Sequence, residues 1–157
     1  MPTSHRLSTE LRVAAPLDEV FAFFADAYNL EQLTPSWLRF EVLTPSPIQM
    51  REGARIDYRL RIRGVPVRWQ SEIAAWEPPH RFVDRQLRGP YRLWHHEHIF
   101  EAIDGGTAIR DVVDYRAPGW ILEPLVNRLL VRPDVDRIFA YRHQQLLARY
   151  GDFPAGR

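Results

Sequence analysis

Across residues 38 to 116, apolar and polar side chains alternate with a period of two, and short runs of Gly, Pro and Asp interrupt the alternation. This pattern is typical of β-strands that bury one face. Turns as short as Arg63-Gly64 and Asp104-Gly105-Gly106 join antiparallel neighbours, so the sequence predicts an antiparallel meander. The six predicted strands cover residues 38–43, 54–63, 65–76, 82–87, 93–103 and 107–116.

The residues before this region predict one further strand and two short helices. Residues 5–13 alternate in the same way and form the first strand of the prediction. Pro16 suits the first turn of a helix that ends near Asp26, because a proline at that position gives up no helical hydrogen bond. A second short helix is predicted over residues 29–33.

Residues 120–150 have a helical period and complete the fold. Pro133 would cost about 3 kcal/mol inside a helix, so we place it in the first turn of the main helix, which Gly151 ends. The predicted stripe of that helix comprises Val135, Ile138, Phe139, Arg142 and Leu146. The element order predicts one α+β domain over residues 1–157, in which a curved antiparallel sheet of about seven strands wraps around the long C-terminal helix.

Composition excludes several classes of function. The chain has no cysteine, which removes disulfides and thiolate metal ligands, and its 21 basic and 20 acidic residues leave a net charge of only +1. Such a balance favours neither nucleic acid nor stable membrane insertion. The stretch 120–131 is too short and too polar to span a bilayer. We expect a cytoplasmic protein, and the sequence leaves the oligomeric state open.

The inner faces of the predicted strands mix aromatic and polar side chains. A solid core of this size would rarely bury two histidines, two carboxylates, a glutamine and a serine on one concave surface, whereas a ligand cavity would accommodate them. The sequence therefore predicts an internal cavity that binds a small hydrophobic or aromatic molecule. The candidate ligand-binding residues are Tyr58, Trp69, Ser71, Asp84, Gln86, Trp94, His96, His98, Phe100, Asp111 and Tyr115.

Within this set, His98 and Asp111 are the candidate catalytic pair. The tight turn over residues 104–106 joins their strands, and counting back from it places the two side chains at the same level on the same face. A histidine oriented by a carboxylate can transfer protons at neutral pH.

His96, His98 and Asp111 could also ligate a metal, but the His-x-His pattern is too short to establish one, and we predict no metal and no cofactor.

Two alternatives concern the outer surface. Arg59, Arg61 and Arg63 share the outer face of one strand, which would suit nucleic acid but is more typical of a solvated face. A protein-interaction module would use these arginines with His95 and Glu97. The pattern predicts no exposed apolar cluster, so we disfavour this interpretation.

The chain also resembles a known superfamily. The resemblance rests on residues Ala15-Pro16, Val20-Phe21, Trp76-Glu77-Pro78-Pro79, Phe82-Val83-Asp84, Gly89-Pro90-Tyr91, Trp94, His96, His98, Phe100, Gly106-Thr107, Asp111, Tyr115, Pro118 and Phe139-Ala140-Tyr141-Arg142. Together they resemble the START / pollen-allergen-like (SRPBCC, polyketide cyclase-like) superfamily, and the resemblance covers nearly the whole chain. It implies a helix-grip fold around a deep cavity that holds a lipid, a polyketide-like molecule or something similar. Because some relatives are aromatase/cyclases, it also implies an alternative, a metal-independent cyclase or dehydratase that uses a His/Asp acid–base pair.

Overall fold

A computed structural model describes residues 4–151 and contains one seven-stranded sheet. Adjacent strands are antiparallel, in the order β1-β7-β6-β5-β4-β3-β2, which confirms the predicted meander and adds the first strand beside the last. The strands are β1 (His5–Val13), β2 (Glu41–Val42), β3 (Arg55–Ile62), β4 (Val65–Glu77), β5 (Arg81–Arg88), β6 (Leu93–Ile103) and β7 (Gly106–Arg116). The helices are α1 (Leu17–Phe24), α2 (Leu30–Leu33), α3 (Glu123–Val126) and α4 (Arg132–Tyr150), and a π-helical turn, Asn127–Val131, joins the last two.

The structure shortens two of the predicted elements. The strand predicted over residues 38–43 is wrong at its start, because a 3-10 turn at Ser36–Leu38 precedes it and Arg39 has the left-handed φ of 46°. That backbone conformation cannot continue a strand, so only Glu41–Val42 pairs with β3. The helix α1 ends before Asp26, whose side chain accepts a hydrogen bond from the Tyr28 backbone N–H and caps a new turn.

The long helix α4 lies across the concave side of the sheet, as predicted. Pro133 lies in its first turn, and Gly151, with a φ of 84°, ends it. Val135, Phe139 and Leu146 are buried at a spacing of four and seven residues, so one stripe of the helix faces the sheet.

The two ends of the concave space differ in how they are filled. At one end, aromatic side chains of α1 pack against the sheet and against Leu146, and Phe21 lies 5.3 Å from Phe100 and 6.1 Å from Phe82 between ring centroids. This end is solid core. The space between α2, the first half of α4 and strands β3 to β6 is not filled in the same way, and it positions the candidate site.

The segment that leads into α4 corrects one expectation. Residues 120–131, here called the apolar segment, expose six large apolar side chains: Trp120, Ile121, Leu122, Leu125, Leu129 and Leu130. The sequence pattern had predicted no exposed apolar cluster, and this prediction is wrong. The prediction failed because a helical period identifies an apolar stripe but does not show whether another element covers that stripe. Over residues 4–151, no helix is long and apolar enough to cross a membrane.

Candidate functional site

A cavity of about 170 Å³ lies between α4 and the sheet and is partly open to solvent. Its walls come from the inner faces of β3 to β6, from α2 and the chain that follows it, and from α4. Most of the lining is apolar, with Leu60 and Ile62 on β3 facing Val135, Ile138 and Phe139 on α4. Such walls with a few polar groups are typical of small-molecule sites.

One part of the cavity is lined by an aromatic trio, Trp69, Tyr91 and Trp94. The centroids of the three rings lie 5.0–5.4 Å apart, at separations typical of favourable aromatic contacts. Trp69 is oriented by its indole N–H, which donates to Ser71 Oγ at 3.0 Å. Burial raises the pKa of Tyr91 and of Tyr58, so both phenols keep their protons and can donate hydrogen bonds.

The other part is formed by four polar side chains with a fifth, Asp111, behind them; the five are here called the polar cluster: Asp84 on β5, His96 and His98 on β6, Asp111 on β7 and Arg142 on α4. His96 Nε2 lies 2.8 Å from Asp111 Oδ1. A carboxylate accepts but does not donate, so this nitrogen carries the proton. The other ring nitrogen, Nδ1, is 3.9 Å from Asp84 Oδ2, which is beyond hydrogen-bond distance. His96 therefore presents a nitrogen with no hydrogen-bond partner among residues 4–151, while Asp111 orients its ring.

His98 is held from both sides in its neutral form. Its Nε2 donates to Asp84 Oδ2 at 2.6 Å, and its Nδ1 lies 3.3 Å from Arg142 Nη2. A guanidinium only donates, so Nδ1 is an acceptor and His98 is uncharged. Burial and the neighbouring His96 lower the pKa of His98 to about 4, against the opposing effect of Asp84, which agrees with this assignment.

The carboxylates of the polar cluster stay ionised despite their burial. For Asp111, burial alone would raise the pKa, but the charge of Arg142 and the hydrogen bond from His96 lower it well below the usual range. The pKa of Asp84 is also lowered, because the hydrogen bond from His98 and the positive charge of Arg142 outweigh the effect of burial. Two carboxylates and one guanidinium therefore leave one net negative charge beside His96.

The same residues bring together possible metal ligands. Donor atoms of Asp84, His96 and His98 lie within 4.8 Å of one another. However, the two imidazole rings are stacked, with centroids 3.7 Å apart and planes 25° from parallel. An imidazole lone pair lies in the plane of its ring, and two planes this close and this nearly parallel leave no position that lies in both at bonding distance. The proton on His98 Nε2 also opposes ligation, and the geometry favours a hydrogen-bonded network.

Seven of the eleven residues predicted for the site line the cavity: Tyr58, Trp69, Ser71, Asp84, Trp94, His96 and His98. Asp111 lies behind His96, fully buried, and orients it. The other three do not line the cavity, which corrects their assignment. Phe100 belongs to the solid core, and Tyr115 donates to Asn127 Oδ1. Gln86 bonds the backbone of Tyr91 through both ends of its amide and so positions that ring.

The predicted His98–Asp111 unit is also corrected. The two residues are opposite each other in the β6–β7 register, as predicted, but His98 Nδ1 is 3.5 Å from Asp111 Oδ1. The short hydrogen bonds are diagonal, and they join His96 to Asp111 and His98 to Asp84. Long side chains reach diagonal neighbours across a sheet, so the register alone does not select the pairs.

Sequence reasoning missed Arg142 and Tyr91 as site residues. Arg142 was placed on the buried stripe of the main helix, and a charged residue on such a stripe is itself a signal for a polar partner inside. Its side chain is buried, contacts His98 and Asp111, and has a Nε atom without a hydrogen-bond acceptor among the described residues. Tyr91 follows a Gly-Pro turn, and no periodicity predicts where a turn residue points.

Solved structures share this architecture. An aromatase/cyclase from Streptomyces sp. R1128 has a TM-score of 0.73 and 20% identity, with 94% of this chain and 93% of that chain covered. A Mycobacterium smegmatis protein has a TM-score of 0.68 and 22% identity, with 92% of this chain and 89% of that chain covered. At these identities the likeness shows the fold, a helix-grip sheet around a long helix, and confirms the predicted fold class.

Sequence comparison extends this likeness to a family. An uncharacterised protein of Mycobacterium tuberculosis is 26% identical over 117 residues, which cover 74% of this chain. They are only half of that protein, so the chain spans about half the length of the curated relatives it matches. The resemblance to the START / pollen-allergen-like superfamily is confirmed. Residues 13–134 match the family model described as polyketide cyclase / dehydrase and lipid transport, and the chain belongs to that family.

Proposed function

We propose that the chain is a single ligand-binding domain that holds a small hydrophobic or aromatic molecule in the cavity between α4 and the sheet. The observation that carries the proposal is the division of this cavity. The aromatic trio offers flat apolar contacts, and the polar cluster offers hydrogen-bond donors and acceptors fixed by their own partners. A molecule with an apolar ring system and a polar group at one end would satisfy both parts.

A fluorescence titration tests the proposal. Trp69 and Trp94 line the cavity, so their emission should change, and saturate, when a bound molecule contacts them. The panel would contain a fatty acid, a flavonoid and a polyaromatic ketone. The variant Trp69→Phe should lose part of the signal, whereas Trp120→Phe, which alters an exposed indole, should keep the saturating change. A panel without any saturable change would contradict the proposal.

A second function, acid–base catalysis without a metal, is favoured by one observation. His96 lines the cavity, Asp111 orients it, and its Nδ1 has no hydrogen-bond partner in the part of the chain that the structure describes. A base of this kind can remove a proton next to a carbonyl group and return it elsewhere, as cyclisation and dehydration require. One structural neighbour is an aromatase/cyclase, which is compatible with such a step.

Proton exchange separates the two functions. NMR would follow deuterium uptake at the carbon between the carbonyl groups of an aromatic 1,3-diketone bound in the cavity. If His96 is the base, His96→Gln should lose most of the catalysed exchange while binding is retained. His98→Gln is the matched control, because His98 Nε2 is already occupied by Asp84 and should contribute little. Equal exchange rates in the wild type and in His96→Gln would leave binding as the function.

A further inference from the structure

The apolar segment leaves several large apolar side chains exposed on the surface of the domain. Trp120 and Ile121 are 74% and 76% exposed, and Leu122, Leu125, Leu129 and Leu130 are between 42% and 58% exposed. Single exposed apolar side chains are ordinary, but six within eleven residues form a patch of the kind that marks an interaction site.

The segment is anchored to the fold by its polar residues. Asn127 accepts a hydrogen bond from the Tyr115 hydroxyl at 2.7 Å. Glu123 is buried and accepts from the Ala117 N–H at 3.2 Å and from His5 Nε2 at 2.7 Å. With Glu123 and Asn127 directed inward, the segment presents its apolar side chains to the outside. This inverts the usual arrangement of a surface helix and is stabilised by specific bonds.

The charged residues around the segment that form no ion pair with another described residue are all arginines. Its exposed charged residue, Arg128, has no ion pair within residues 4–151. Arg116 precedes the segment and Arg92 bonds the backbone of Arg116; neither forms an ion pair with another described residue. The carboxylate inside the segment, Glu123, is buried; beyond the segment, Asp134 is paired with Arg63 and Asp136 with Arg132. The patch is therefore apolar at its centre and basic at its rim.

We propose that the apolar segment docks peripherally on an anionic lipid surface. Trp, Leu and Ile side chains with a basic rim are the features of elements that lie in a membrane interface, where aliphatic groups enter the acyl boundary and arginines meet lipid phosphates. A second copy of the chain suits the surface less well. In a two-fold interface the same patch meets itself, so unpaired arginines would face arginines.

The end of the apolar segment lies next to the cavity. Arg63 donates to the Leu130 carbonyl at 3.4 Å and to Asp134 Oδ1 at 3.0 Å. Asp134 and the neighbouring Val135 line the cavity, so the end of the docked segment adjoins the cavity wall. Docking would bring the cavity close to the lipid surface. The proposal rests on the surface and holds whether or not the cavity binds the molecules proposed above.

Vesicle co-sedimentation tests the proposal without any cavity ligand. The whole protein would be mixed with phosphatidylcholine vesicles, with and without phosphatidylglycerol, at low and at high salt. We expect binding to the anionic vesicles that weakens with salt. Arg128→Gln should weaken it about 5-fold, the equivalent of the ~1 kcal/mol that one arginine contributes near an anionic surface. The double variant Trp120→Ser/Ile121→Ser should lose more than 10-fold.

A matched control uses an exposed tryptophan outside the segment. Trp37→Ser should bind vesicles like the wild type, because Trp37 packs against Arg137 and lies on another element. Circular dichroism would establish that each variant is folded. No binding to anionic vesicles, or equal binding to both kinds, would overturn the proposal. So would a dimer in sedimentation velocity that the double variant converts to a monomer, because a second copy would then cover the segment.

Discussion

The polar cluster and the apolar segment depart in opposite directions from the usual distribution of side chains. The cluster buries charged groups inside the domain, and the segment exposes apolar groups outside it. The members of the cluster satisfy most of one another's hydrogen bonds, whereas no described element covers the segment. Substitutions in the polar cluster should therefore mainly lower the free energy of unfolding. Substitutions in the apolar segment should mainly alter the binding of other molecules.

The largest expected effect follows from removing one charge of the polar cluster. Asp111→Asn should lower the free energy of unfolding by about 3–5 kcal/mol, because Arg142 is then left as a buried charge with a weakened partner. Urea denaturation would measure it. Glu101→Gln is the matched control, since its ion pair with Arg110 is exposed and should contribute 1 kcal/mol or less. If Asp111→Asn lowered the free energy of unfolding by less than about 1 kcal/mol, the claim that the polar cluster stabilises the fold and the apolar segment does not would be contradicted.

The stability of the fold should also fall in acid because of His98. Its pKa is about 4 in the folded protein and near 6.5 in the unfolded chain, so only the unfolded chain binds this proton between those values. This contribution is present in full above pH 6.5, and it is lost as the pH falls towards 4 at about 1.4 kcal/mol per pH unit. Denaturation at several pH values would measure the slope, and His98→Gln should flatten it. An unchanged slope in that variant would mean that His98 is charged when folded.

Double-mutant cycles distinguish the diagonal hydrogen bonds from the pairs that lie opposite in the register. His96→Gln combined with Asp111→Asn should give a coupling energy of about 1–3 kcal/mol, because those side chains are 2.8 Å apart. His98→Gln with Asp111→Asn should give a smaller value, since the closest approach is 3.5 Å. A larger coupling energy for His98 with Asp111 than for His96 with Asp111 would instead support the His98–Asp111 pair predicted from the sequence.

The smallest effect on stability is expected in the apolar segment. Ile121→Ser and Leu125→Ser should each change the free energy of unfolding by no more than about 0.5 kcal/mol, because more than half of each residue is exposed. Val131→Ser, at the buried end of the same segment, should cost more than 1 kcal/mol. Thermal denaturation of the three variants provides the comparison. A large loss at Ile121 would show that the segment is part of the core.

The sequence predicted the sheet and the inner faces of its strands well, and for a physical reason. Side chains alternate strictly along a strand, so placing Trp94 inside also places His96 and His98 inside. The tight turn before Gly106 sets the register, which put His98 opposite Asp111. Both inferences need only backbone geometry, and the structure confirms both.

The sequence could not predict contacts that depend on distances of about 1 Å or on other elements. Whether a histidine bonds the carboxylate directly opposite it or a diagonal one depends on how its imidazole ring is inclined along the strand. The alternation of apolar and polar residues carries no information about this inclination. Arg142 reaches the polar cluster only through the packing of α4 on the sheet. The exposure of Trp120 depends on which element covers it, which a helical period cannot tell.

The central claim, that the cavity binds a small molecule, is tested most directly by filling the cavity. Ile138 lines it, and Ile138→Trp should occupy the space at a cost in stability of about 1–3 kcal/mol. Val65→Trp adds the same ring at an exposed position on β4 and serves as the control. Calorimetric titration with the best molecule of the fluorescence panel should show one site per chain in the wild type and in Val65→Trp, and no binding in Ile138→Trp. Undiminished binding in a folded Ile138→Trp variant would place the ligand outside the cavity and contradict the account.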